Sequence, residues 1–457
     1  MIRHRHQLAA ALCAAGLIAV SCGSSSKSAS TTPAAGTKAP AGTTAPAGTT
    51  APAGTTAPAG TTAPGGTTAP GATTAGGTGA TLKDGDFGEK YTPDPAILAK
   101  GLGGAGSLPT EERARNIALA TVTRAGTKVN EDLALKCWKD NGCDTGTGGK
   151  LKVGLADGFG GNIARQIFKM EFILQALTYP EIGHIAYTDA NLDTQKAISD
   201  VQSFAAQKYD VIVSYPDAGE ALVPAYKAAT GQGSKVVLWS GAKIGNPGTD
   251  YLDYSGSDQC ALAHAWGTQF GKSLPNGGDI AIILGAPGNP TDPLEEKCLK
   301  ETLPANIHIV AKQGTAWSRD AYQQATSAIL ADHPDIKGIV GAYGDAFVGS
   351  IRAFQAAGIK MDGLVTMHQS DDNPFLCAWK DAGGVTDSYT YVALLLEGRA
   401  AMTAAMMSIA GYKVPSEIVF GVQLKKVTMD SCRTDIPPDG SPSSLVPAEL
   451  QAKMFPG

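Results

Sequence analysis

From Leu151 onward the hydrophobic and polar positions follow two alternating periods. Lys152 to Ala156 reads as a buried strand that breaks at the glycine-rich turn Asp157-Gly158-Phe159-Gly160-Gly161-Asn162. A helix follows, because Ile163, Ile167, Met170, Leu174 and Leu177 recur at helical spacing. The same unit then repeats. The pattern predicts strands near 183–188, 210–214 and 235–239, separated by helices near 162–178, 193–207 and 218–230. A short strand near 251–255 leads into a second series, with strands near 279–284, 307–311, 337–341 and 363–367. Helices are expected there near 258–272, 292–303, 318–331, 344–357 and 373–382. A last strand, helix and strand are expected near 385–390, 391–410 and 417–423, the Leu394 to Leu396 run and Met402, Met406 and Met407 forming the buried side of that helix. Two successive α/β series predict an α/β fold of two lobes, each a parallel sheet covered by helices on both faces.

The pattern is different before Leu151. From Ser24 to about Gly79 there is no hydrophobic periodicity, and Ala-Gly-Thr-Thr-Ala-Pro recurs at Ala41, Ala47, Ala53 and Ala59. Such a segment buries too little apolar surface to offset its ordering entropy and reads as a disordered tether, on the order of 40 Å root mean square for a flexible coil of about this length. Between 81 and 150 a helical extension is expected, with one helix opening at Pro109-Thr110-Glu111-Glu112 and another from Glu131 to Trp138.

Composition narrows the function classes. The formal net charge of -5 comes without a basic run, so a nucleic-acid partner has no electrostatic footprint. Arg3 and Arg5 precede an apolar run from Leu8 to Val20, too short to span a bilayer and suited to a secretory signal. Ala19-Val20-Ser21-Cys22 resembles a bacterial lipobox, which makes Cys22 the expected lipidation site and the membrane reachable through a lipid anchor only. Of eight cysteines, six lie beyond Cys22, an even number that favours disulfides in an exported chain. Cys137 and Cys143 are the expected pair, since the Asn141-Gly142 turn brings them together. The other four, Cys260, Cys298, Cys377 and Cys432, stay unassigned. No C-x-x-C, H-E-x-x-H, P-loop or dinucleotide fingerprint occurs, so no metal and no cofactor is expected.

Several local motifs resemble the periplasmic binding proteins of the ribose-binding type, the solute receptors of ABC importers, over roughly Leu151 to Val427. Ser257-Asp258-Gln259 is similar to the Ser-Asp-Asn at which that family enters its second lobe. Tyr343-Gly344-Asp345 sits where the family carries an Asn-Asp pair, and Thr315-Ala316-Trp317-Ser318-Arg319 matches an aromatic-x-Arg loop. The resemblance implies a two-lobed fold with three interlobe crossings and a ligand closed between the lobes. It implies that Trp317 stacks on the ligand, that Arg319 bonds its oxygens, and that Asp217, in Tyr215-Pro216-Asp217, supplies a first-lobe acid. Phe159 and Asn162 fall where the family places first-lobe aromatics. The alternatives are a Trp317 that caps the core beside a solvated Arg319, an Asp217 that caps a helix, and an Asn162 that does the same. Three departures argue against ribose itself: the family's arginine falls on Thr291-Asp292-Pro293, its asparagine on Tyr343, and its aspartate on His368. Tyr343, Asp345 and His368 complete the expected ligand-binding set.

The domain expectation is a signal peptide over 1–22, a linker over 23–80, the helical extension over 81–150 and a first lobe over 151–256 with about 391–415. A second lobe over 257–390 with about 416–430 and a C-terminal tail over 431–457 complete it. An enzyme is not expected, because there is no G-x-S-x-G and only five histidines lie beyond the signal segment, none grouped by spacing. The reading is an extracytoplasmic, lipid-anchored receptor for a small polar, carbohydrate-like ligand, working with an ABC transporter permease. A surface ligand sensor using the same cleft without transport is the alternative.

Overall fold

The computed structural model describes residues 129–391, 397–420, 422 and 424–456. The signal segment with Cys22, the repeat linker, the helix opening at Pro109 and the Leu394 to Leu396 run lie outside the described residues. The chain begins with α1 (Glu131–Lys139), β1 (Gly142–Asp144), β2 (Leu151–Asp157), α2 (Ile163–Ala176), β3 (Ile182–Asp189), α3 (Thr194–Ala206) and β4 (Val211–Ser214). A 3₁₀ turn (Gly219–Leu222) precedes α4 (Val223–Gly231), β5 (Lys235–Trp239) and β6 (Asp253–Ser257). The second series is α5 (Gln259–Ser273), β7 (Gly278–Leu284), α6 (Thr291–Thr302), β8 (Ile307–Gly314), α7 (Arg319–Asp332) and β9 (Gly338–Gly341). It continues through α8 (Phe347–Ala357), β10 (Val365–His368), α9 (Asn373–Asp381) and β11 (Asp387–Tyr391). Then come α10 (Glu397–Ile409), β12 (Glu417–Phe420), β13 (Leu424–Lys426) and α11 (Ala448–Met454).

The strands form two sheets, ordered β1-β3-β2-β4-β5-β6-β12 and β13-β11-β10-β9-β7-β8. Their interiors are parallel because a helix after most strands returns the chain to the same end, while β5 reaches β6 through an irregular crossover. Val211 to Ser214 and Val236 to Trp239 are wholly buried, as expected for central strands with helices on both faces. Apolar side chains of α3 and α4 pack on one face of the first sheet. On the other face α2 is buried almost all round, because α10 lies against it. Arg399 of α10 bonds Glu171, and Gln175 donates to Thr403 at 3.2 Å.

Both sheets depart from the purely parallel expectation at their edges. β1 pairs antiparallel with β3, which makes residues 129–150 part of the first lobe, and β13 pairs antiparallel with β11. The single strand expected over 417–423 is two strands in different lobes. β12 adds in parallel to β6 of the first sheet, whereas β13 closes the second. Residues from about 416 therefore do not all belong with the second lobe. The physical reason is pairing: β6 would otherwise leave a buried edge of unpaired backbone groups.

The expected tail, 431–457, is a structural element. Cys432 is joined to Cys377 of α9, and Asn373 bonds the Arg433 and Pro437 carbonyls in the second lobe. The segment then crosses to the first lobe, where Glu171 accepts from Ser444 Oγ and Leu445 N, each at 2.7 Å. Val446, Leu450 and Met454 are buried there, and Phe455 meets Trp138 edge-on. The chain thus passes between the lobes after β6, after β11, between β12 and β13, and once more on its way to α11. Cys137 pairs with Cys143 as expected, and Cys260 with Cys298.

Candidate functional site

The parallel strands of both sheets end at the gap between the lobes, so the turns that follow them face one another there. These turns enclose a cavity of about 90 Å³, several times the roughly 10–15 Å³ that one water requires. The lobes touch around it. Asn289 after β7 donates to Asp217 after β4 at 3.1 Å, Ala164 N donates to Tyr343 Oη at 3.2 Å, and Ala242 N donates to Thr291 Oγ1 at 3.0 Å. This is a closed arrangement of the cleft.

The first-lobe wall is built around Arg165, which pattern reading missed. Asn162 caps α2 by accepting from Arg165 N at 3.0 Å and also lines the cavity. One turn in, the Arg165 guanidinium bonds Asp157 at the end of β2. It also reaches both oxygens of Asp217 at 3.0 and 2.9 Å, and its flat face lies 3.3 Å from the Tyr215 ring centroid. Asp217 does not cap the following helical turn, whose cap is Ala218. Its carboxylate is committed to Arg165 and Asn289. Gly158 is required beside it, since a Cβ there would fall 2.4 Å from Asp217 Oδ2. Burial pushes Asp157 up to about 7 against the pull of Arg165, and raises Asp217 for the same reason. The only sequence signal for Arg165 was a cation two positions after the first apolar residue of α2, on the side that a one-sided helix would turn to water.

On the second-lobe wall, Trp317 lines the cavity and meets Phe159 of the first lobe at 5.6 Å between ring centroids. Ala316 and Trp317 both take left-handed backbone angles, φ 48 and 56, at a cost of about 1–2 kcal/mol each. Thr315 N and Ala316 N hold the turn through the Gly285 carbonyl at 3.0 and 3.2 Å. Gly285 has to be glycine, because a Cβ would lie 2.3 Å from the Trp317 ring. Tyr343 also lines the cavity, with its backbone N donating to Tyr322 at 3.0 Å.

Five expected ligand residues do not line this cavity: Phe159 and Asp217 stand beside it, against Trp317 and Arg165, and Arg319, Asp345 and His368 are placed otherwise. Arg319 bonds Asp345 through Nε at 3.0 Å and reaches Asp439 of the C-terminal segment at 3.3 Å, in an outer groove that shares Asn162 and Trp317 with the cavity. Asp345 is committed to the same ion pair. His368 is a core residue: it is fully buried, its ring lies 4.4 and 4.3 Å from Phe347 and Phe375, and Nε2 is 2.9 Å from Thr366 Oγ1. Burial lowers it to about 3. The cavity is completed by residues outside the expected ligand set, among them Asn289, Asp292, Ser370, Tyr391 and Glu397.

A metal donor set exists away from the cleft. Cys260, His264, Cys298 and Glu301 bring their ligand atoms within 4.8 Å of one another. The two sulfurs are joined as a disulfide, which leaves a His264 to Glu301 contact of 2.8 Å.

The family described as a periplasmic binding protein domain matches residues 165–413, more than half of the chain. The chain belongs to the periplasmic binding protein family. A D-ribose/D-allose-binding protein of Pseudomonas aeruginosa is 27% identical over 176 residues, 36% of this chain and 53% of that protein. The chain therefore spans about half the length of the curated relative it matches. Among solved structures, an ABC transporter solute-binding protein from Mycobacterium smegmatis with bound glycerol is 23% identical, covers 62% of this chain and 95% of its own, and has a TM-score of 0.55. One from Bacillus halodurans with bound myo-inositol is 18% identical over 62% and 96%, also at 0.55. These likenesses bear out the fold: two lobes, each a mostly parallel sheet flanked by helices, as in this family of receptors.

Proposed function

We propose that this chain is an extracytoplasmic solute-binding lipoprotein that captures a small polar, sugar-like ligand between its lobes and delivers it to an ABC importer. The observation that carries the reading is the cavity lined from both lobes by hydroxyl, amide and carboxylate groups beside Trp317, Tyr343 and Tyr391. Hydroxyl-rich ligands are held by such groups, with aromatic faces against their C–H surfaces. A ligand bound to both walls favours the closed form by its differential affinity. The relatives' names and bound molecules, D-ribose or D-allose, glycerol and myo-inositol, fit that class. Thr291-Asp292-Pro293, where the family's arginine falls, argues for a different member of it.

Cys22 carries the anchor in this proposal, and the repeat segment is the tether that holds the lobes clear of the membrane. Stable anchoring needs more than one acyl chain, as a lipobox cysteine provides. A thermal-shift screen of sugars, polyols and amino acids tests the binding function, with a ligand-induced rise in melting temperature and no product formation expected. No shift with any sugar or polyol, or turnover of a bound one, overturns it. Cys22→Ala protein is expected to be released from membranes or left unprocessed; soluble mature protein starting well beyond Cys22 refutes the anchor.

A further inference from the structure

Charge around the cavity is unbalanced. Arg165 is the one lysine or arginine side chain lining it among the described residues, and its guanidinium is shared by two carboxylates, Asp157 and Asp217. Behind them Lys169 lies 4.2 Å from the Tyr187 ring centroid and bonds Asn141 Oδ1, while Asp189 accepts from Gly160 N at 2.9 Å. That pair adds one charge of each sign and leaves the first-lobe wall negative. Two further carboxylates line the cavity itself. Asp292, 8% exposed, receives Gly285 N at 3.3 Å, and Glu397, 2% exposed, receives Ser257 Oγ at 2.5 Å.

Neither Asp292 nor Glu397 has a cation among its described partners. The groups facing Asp292 are Asp217, the buried Glu295 and Tyr322, and those facing Glu397 are Tyr215, Tyr254 and Tyr391. Arg319, the cation expected on this wall, is spent on Asp345 and Asp439 outside the cavity. Asp292 lies in the first turn of α6, but a helix N-terminus supplies only about 0.3–1 kcal/mol, up to about 2 in partly buried settings. Ionised carboxylates out of water need a counter-charge or a proton. Burial accordingly pushes Asp292 up to about 6 and Glu397 up to about 7. The rings of Trp317, Tyr343 and Tyr391 on the same cavity add faces that attract a cation.

We infer that the ligand carries a positively charged amine beside its hydroxyls, which makes an amino sugar or an aminocyclitol the chemical class this cleft is built to hold. The inference rests on the sugar-receptor reading and refines it. The ammonium takes the place of the protons that Asp292 and Glu397 otherwise bind, while Asn289, Ser370 and the other amide and hydroxyl groups receive the ring hydroxyls. A neutral polyol would leave both acids to protonate or to ionise uncompensated.

Isothermal titration of the full chain compares glucosamine, galactosamine and mannosamine with glucose, galactose and mannose, and putrescine and choline with all of them. At pH 7.0 at least one amino sugar is expected to bind about tenfold or more tightly than its neutral parent. That ratio is expected to fall at pH 5.5 and to be lost in Asp292→Asn, where Asp292→Glu retains it. Neutral sugars that bind as well as or better than their amino counterparts, with the ratio unchanged in Asp292→Asn, overturn the inference and leave the receptor function standing. Putrescine or choline binding without any sugar supports the cation site and overturns the carbohydrate reading. Binding by none of these compounds overturns the inference and leaves the receptor function to the wider screen of sugars and polyols.

Discussion

At the scale of single residues the cleft depends on Arg165, whose two buried carboxylate partners, Asp157 and Asp217, share its one charge. Arg165→Ala leaves Asp157 and Asp217 without a counter-charge in a dry site, and breaking such a buried pair costs about 3–5 kcal/mol. Urea unfolding of the ligand-free variant is expected to read a loss of that size, and a loss under about 1 kcal/mol would mean that the carboxylates are relieved some other way. Trp317 and Arg319 separate cleanly. Trp317 contributes a face to the cavity and a contact to Phe159, so Trp317→Ala is expected to weaken ligand binding by roughly ten- to a hundredfold. Arg319 is half-exposed and tied to Asp345 and Asp439. Arg319→Ala is therefore expected to change affinity less than about threefold, and to lower stability by about 1–3 kcal/mol because the buried Asp345 loses its counter-charge. The reverse ranking by calorimetry would return Arg319 to the site.

At the scale of elements the C-terminal segment has the largest consequence. It is fastened to α9 by the Cys377 to Cys432 disulfide, which spans 55 residues of sequence, and to α2 by bonds to Glu171. Replacing both Cys377 and Cys432 with serine releases the far end of that loop, and a closed loop of this length stabilises by about 2–4 kcal/mol. The expected readout is a lowered melting temperature relative to the parent under non-reducing conditions, with the difference disappearing when both are reduced. Equal melting temperatures without reductant would show that the hydrogen bonds from Asn373 and Glu171 hold the segment unaided. β12 and β13 divide a short stretch between two sheets for the same reason: each leaves fewer unpaired backbone groups in its own place than a continuous strand would in either.

At the scale of the whole molecule the buried acids set the pH response. Burial raises Asp157 and Glu397 to about 7, Asp372 to about 8 and Asp292 to about 6 in the folded protein. Each contributes stability that is full below about pH 4, where the unfolded carboxyl also binds its proton, and that is lost as pH rises through the folded value. His368, lowered to about 3 by burial, opposes this by adding stability as pH rises from there towards about 6.5. Glu296, held down by Lys300 and Lys312, loses its contribution only as pH falls below about 4.5. Several acids outweigh one histidine, so the ligand-free melting temperature is expected to be higher at pH 5 than at pH 8. Differential scanning calorimetry at the two values checks this, and a higher value at pH 8 would contradict the burial of these acids.

Most of the elements, their order and the two-lobed class were legible along the chain, though not β1, β13 or α11, because strand and helix periods arise from the geometry of neighbouring residues and need no distant partner. The Cys137 to Cys143 pair was legible for the same local reason. Trp317, Tyr343 and Asn162 could be placed at the cleft because their local motifs resemble those of the family, and each lines the cavity. The partners of Cys260 and Cys377, the lobe that receives Glu417–Phe420 and the course of residues 431–456 required the tertiary structure, since each is a choice among distant segments of similar local character. So did the directions of three side chains. Arg319 turns outward to Asp345 and Asp439, His368 sinks between Phe347 and Phe375, and Arg165 turns inward because α10 covers the rest of its helix. Charge pairing and packing decided those directions, and neither is written in the period of a chain.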